Sequence, residues 1–75
     1  MSGIVQSVLL RKPIDRKKAE EILLRNGFVA KKVDETENYL RYRQRDPVPL
    51  ERKGYRFRTV PMGKIGEMVL AYPPA

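Results

Sequence analysis

Arginine stands at positions 41, 43 and 45 of YLRYRQR, residues 39–45, and again at 56 and 58 of YRFRTV, residues 55–60. In an extended chain, residues two apart share a face. A guanidinium fork donates paired hydrogen bonds to phosphate or carboxylate oxygens, so the chemistry in view is anion binding. On the first stretch Leu40 and Tyr42 point one way, and Tyr39, Arg41, Arg43 and Arg45 point the other. On the second, Tyr55, Phe57 and Thr59 oppose Arg56 and Arg58. If the apolar sets pack under one helix and the two strands are neighbours, five arginines share the open face. Tyr39 then offers a ring on which a base can stack. Arg52 and Lys53 would extend the patch from the adjoining loop. A plain solvated face is the competing explanation. Such faces usually mix signs, and neither strand contains an acid. Like charges on paired strands repel, so folding alone does not ask for this pattern.

The rest of the composition narrows the chemistry. The chain has 75 residues, 16 Lys and Arg against nine Asp and Glu, a formal net charge of +7, and neither Cys nor His. That length predicts one domain over residues 1–75. The charge favours polyanions: nucleic acid, an acidic protein or an anionic surface. Without Cys or His, disulfides, thiolate metal sites and the commonest acid–base residue are absent. No Gly-rich phosphate loop precedes a helix. The expectation is a non-enzymatic protein with no cofactor and no metal. Apolar runs are too short to span a bilayer, and MSGIVQSVLLRKP has no basic region ahead of its apolar stretch, so it does not read as a signal peptide.

Positioning these residues takes a small α+β fold in the order β-α-β-β-β-β. GIVQSVLL, residues 3–10, reads as a strand. Asp15 is suited to cap a helix over about 15–26, with Ala19, Ile22 and Leu23 on one face and Asn26-Gly27 as its stop. Ile14 is placed to staple onto Ala19. Strands are expected at 28–33, 39–45, 55–60 and 67–72. DPVPLERKG, residues 46–54, reads as a proline-broken loop. The single helix packs on one face of a mostly antiparallel sheet. Two other charged clusters read as ordinary surface. Arg11, Lys12, Arg16, Lys17 and Lys18 form a solvated turn partly neutralised by Asp15, Glu20 and Glu21. Asp34, Glu35 and Glu37 form a hairpin tip or pair with nearby cations, since they lack the spacing of a calcium loop.

SVLL at 7–10, NGF at 26–28, KVDETENYLRYRQRDP at 32–47 and the closing Phe-Arg-Thr and apolar strands together resemble a small domain. It is found in proteins of large DNA viruses of amoebae, marseillevirus-like ones included, with related stretches in tailed phages. The likeness spans most of the chain and is most specific in VDETENYxRYRQ. The helix, with Ile22-Leu23-Leu24 where such domains often carry an aromatic and a basic residue, matches less well. The resemblance implies a viral setting, in the virion or the infected host cell's cytoplasm or nucleus and not secreted, and supplies no activity.

Two readings follow. One is a nucleic-acid-binding accessory protein that holds phosphate backbone with little sequence preference. The other is a virion structural or protein-interaction module, homodimeric or docked on an acidic viral or host protein through the sheet face or an edge strand.

Overall fold

The computed structural model describes residues 3–74. The order is β1 (Ile4–Arg11), α1 (Arg16–Arg25), β2 (Lys32–Glu35), β3 (Tyr39–Arg43), α2 (Pro47–Arg52), β4 (Arg56–Pro61) and β5 (Gly66–Tyr72). The strands form one antiparallel sheet in the spatial order β2-β3-β1-β5-β4. The expected α+β class and antiparallel sheet are therefore present, with one helix more than expected.

α1 forms where its cap residues predict. Asp15 accepts from the Lys18 backbone N–H at 2.8 Å. At the other end the Asn26 and Phe28 amides close on Ile22 and Leu23 carbonyls, with Gly27 at φ +81°. Ala19 and Leu23 are buried against Val8 and Leu10 of β1 and Leu40 and Tyr42 of β3, and Ile14 packs beside them. These residues form the α1 face of the sheet. Cross-strand register extends that face through Val33 on one side and Met68, Val60, Leu70 and Arg58 on the other.

Three expectations are corrected. Residues 46–54 are not a loop throughout, because α2 occupies Pro47–Arg52. Asp46 caps it by accepting from Val48 N–H at 3.0 Å. Prolines are harmless in a first turn, whose amides have no helical partner. The second strand does not run over 28–33. Phe28 turns back onto the core, and Val29 is clamped by the Gln44 side chain, which accepts from its N–H and donates to its carbonyl, both at 2.8 Å. The ladder therefore begins only at Lys32. The third strand ends at Arg43, so Arg45 lies in the bend beyond it.

β1 carries an irregularity between Val5 and Ser7, where Gln6 is the extra residue. Its carbonyl accepts from the Gln44 and Arg45 amides, and its side chain donates to the Arg45 carbonyl at 2.8 Å. Ser7 Oγ donates to Gln6 Oε1 at 2.8 Å. Both side chains are buried and both are satisfied, which fixes the 44–46 bend from which α2 departs.

Tyr42 is the exception in the core. Its ring is fully buried and its hydroxyl has no partner among the described residues. Burial, with a smaller contribution from the Glu20 carboxylate, raises its pKa above the usual 10.0; Arg16 opposes this. Tyr42→Phe is therefore expected to stabilise the fold by up to about 1–3 kcal/mol, the cost of leaving such a group unpaired. At roughly 4–8 °C per kcal/mol for a chain of this size, a thermal melt resolves the change. In an unfolded chain tyrosine ionises near 10, whereas folded Tyr42 resists. Wild type thus loses stability as pH rises from the unfolded toward the raised folded value, and the variant loses less.

Candidate polyanion-binding surface

Register decides which cations meet. Ser7 lies opposite Arg43 and Val69, and Val69 opposite Thr59. Arg41 faces Leu9, which faces Glu67. Tyr39, Arg41, Arg43, Arg11, Glu67, Thr59 and Phe57 therefore lie on the sheet face away from α1. Arg58 faces Leu70, which faces Val5, a residue packed on the α1-side core. Arg56 and Arg58 thus project on the α1 side. The expected row of five arginines is split. β1 and β5 stand between β3 and β4, and the two arginine pairs point to opposite faces. Phe57 correspondingly does not meet α1; it faces α2 instead.

Acids missing from the arginine strands themselves come from their neighbours. Arg43 Nη2 lies 3.6 Å from Asp34 Oδ2, and Arg11 Nη2 lies 3.7 Å from Glu67 Oε1. Tyr39 donates its hydroxyl to Glu67 at 2.7 Å, so its phenol is engaged on the protein. The face has mixed signs, as a solvated sheet face does, and isolated exposed pairs of this kind add little stability.

One part of the surface is different. Lys31, Lys32, Arg43 and Arg45 line a concavity of about 160 Å³ with Val29, Gln44 and Asp46. Lys32 and Arg43 are register partners, Arg45 is held by the Gln6 contacts, and Lys31 adjoins the Gln44 clamp. Four cations and one carboxylate line it; Asp46 already spends an oxygen capping α2, and Asp34 pairs with Arg43 from outside the lining. Arg43 Nε is itself buried without a partner among the described residues. The volume falls below the roughly 300–1,000 Å³ of small-molecule sites and suits a phosphate-sized group. Arg41 lies two residues along β3 on the same face and has no ion pair among the described residues. Arg52 and Lys53 are exposed at the far end of α2, apart from this group.

The sequence reading therefore found Arg43 and Arg45 but missed Lys31, Lys32 and Gln44. The signal was available: a turn closing between Glu35 and Leu40 pairs Lys32 with Arg43. The turn is made by Thr36, whose N–H reaches the Tyr39 carbonyl at 2.9 Å and whose hydroxyl accepts from Tyr39 N–H at 3.0 Å.

Of the acidic segment, Asp34 and Glu35 pair with cations, and Glu37 lies in the bend between β2 and β3. Glu35 accepts from Lys12 Nζ at 2.6 Å and lies 3.5 Å from Arg16. The Lys12 hydrogen bond and charge, helped by Arg16 and opposed by desolvation, hold its pKa below the usual 4.5. The stability this contributes is present above the unfolded value and lost as pH falls through the lower folded one. Glu35→Gln is expected to remove that share of the acid-induced loss, measured by urea melts between neutral pH and about pH 3. Among the described residues no group of acids could hold a metal ion, and no helix is long and apolar enough to cross a membrane.

Compared with known proteins, the chain matches no family model, no curated protein and no solved structure.

Proposed function

We propose that the chain is a non-enzymatic nucleic-acid-binding protein that holds the phosphate backbone with little sequence preference. The observation that carries this reading is the convergence of Lys31, Lys32, Arg43 and Arg45 on one phosphate-sized concavity, with Arg41 beside it. Cations gathered on one side displace the counterions condensed on a phosphate chain, and their release drives affinity without reading sequence. The net charge of +7 supplies long-range attraction. The resemblance to the amoebal-virus domain adds a setting to the proposal: a virion or infected cell, where a genome is the abundant polyanion. Fluorescence anisotropy of labelled single-stranded and duplex DNA over a salt series tests it. A steep loss of affinity with salt supports the reading. Binding too weak to detect even at low salt overturns it.

One observation favours a second reading, an acidic protein partner. β4 is an outer strand, and Arg56 and Arg58 stand exposed on it, remote from the concavity. An added strand with acids two residues apart would complement them. An antiparallel second copy centred on these residues would set arginine against arginine, so the edge fits an acidic extended segment better than a homodimer.

A further inference from the structure

The face that carries Arg41 and Arg43 also carries a second concavity, of about 330 Å³, between α2 and the sheet. It is lined by Gln6, Arg41, Pro47, Glu51, Phe57 and Val69. Its chemistry is the reverse of its neighbour's. One cation meets one carboxylate, and the remaining walls are a phenyl ring, a proline, a valine and an amide. Gln6 is already committed to Ser7 and the Arg45 carbonyl. Glu51 would repel a phosphate, so this is no second anion site. A volume within the range of small-ligand sites, a π-face and a guanidinium beside it suit a flat, neutral, hydrogen-bonding group. Arg41 touches Ser7 Oγ only at 3.4 Å, a long contact that leaves its fork free to lie along or bond to such a group.

The two concavities are adjacent. Asp46 lines the first and Pro47 the second. Arg43 lines the first and Arg41 the second, two residues apart on one strand and hence about 6.6 Å from each other. A chain with a phosphate in the first therefore has its next flat group within reach of the second. Resting on the backbone-binding reading above, we propose that the slot between Phe57 and Arg41 takes one unpaired nucleobase, so that the protein prefers single strands to duplex. Bases within a duplex are stacked and paired, and none reaches the slot while its phosphate lies in the concavity.

The test compares a fluorescein-labelled mixed-sequence single strand with an abasic strand of the same length and phosphate count. Duplex is run alongside. The protein is wild type, Phe57→Leu, which keeps an apolar side chain under α2, and Phe57→Tyr, which keeps the ring. Circular dichroism checks each fold. Wild type is expected to bind the abasic strand roughly five- to hundredfold more weakly, the usual worth of one base stacked on an aromatic side chain. Phe57→Leu should bind both strands as wild type binds the abasic one, and Phe57→Tyr should restore the difference. The gap should persist across the salt series, since no phosphate contact makes it. Equal binding of intact and abasic strands by wild type, or an unchanged gap in Phe57→Leu, overturns the base slot and leaves the backbone reading standing. If no strand binds at low salt, the backbone reading fails and the slot proposal fails with it.

Discussion

Gly66→Ala is expected to remove most or all of the fold's stability, although it adds a single methyl group. A Cβ at this position would lie 1.9 Å from the Leu9 carbonyl oxygen, 2.9 Å from its carbon and 3.0 Å from Leu10 Cα. All three atoms are backbone, so no side chain can rotate aside. Relief requires parting β1 from β5, the junction through which the β2-β3 half of the sheet is joined to β4. A chain of this length has a total stability of about 4–11 kcal/mol. Forcing two central strands apart belongs with the exceptional substitutions that cost more than about 4–5 kcal/mol. Gly27→Ala is the control. Its φ of +81° disfavours alanine, but nothing lies within 4 Å of the added carbon, so a loss of about 1–2 kcal/mol is expected. Urea unfolding of the two variants beside wild type separates them. A Gly66→Ala protein whose unfolding free energy lies within about 1 kcal/mol of wild type would overturn this expectation.

Gly66 also shows what a sequence conceals. Gly63-Lys64-Ile65-Gly66 reads as one glycine turn between strands. Only Gly63, at φ +67°, performs that task; Gly66 is there because another strand's backbone passes against it. The local signals of α1 and of the inward side of β3 are legible in the sequence. The caps of α1, its buried Ala19 and Leu23, and the inward Leu40 and Tyr42 depend on residues near one another in sequence. Strand order does not, and the candidate site turned on it. Alternation along YRFRTV correctly separated Phe57 from Arg56 and Arg58. What alternation could not supply was which face the phenyl ring joins, because a second helix covers the other side of the sheet. A single helix would place Phe57 beneath α1 and carry Arg56 and Arg58 to the opposite face from the one they occupy. The prolines at 47 and 49 conceal α2, since residues that break a helix interior are compatible with a helix start.

The split of the arginines yields the sharpest functional contrast: loss of the concavity should abolish most binding, and loss of an equal charge elsewhere should not. One variant replaces Lys31, Lys32, Arg43 and Arg45 with Ala. The other replaces Lys17, Lys18, Arg56 and Arg58, all exposed and on or beside other elements. Each takes the formal net charge from +7 to +3, since 7 − 4 = 3. Long-range attraction is thereby matched, and any difference reports local contact. Four phosphate contacts on a single strand give a log–log salt slope near −0.7 × 4, or about −3, and about a fiftyfold fall in affinity between 50 and 200 mM salt. The concavity variant should flatten the slope toward about −1 and lose a comparable factor at low salt. The matched variant should keep the wild-type slope within about one unit. Stability should change little in either, because among the described residues the only ion pair removed is the exposed Arg43–Asp34 contact, worth at most about 1 kcal/mol. Equal losses would mean that net charge alone attracts the polyanion and that the concavity is ordinary surface. A greater loss in the Arg56 and Arg58 variant would move the interface to the β4 edge, where an acidic strand is the better partner.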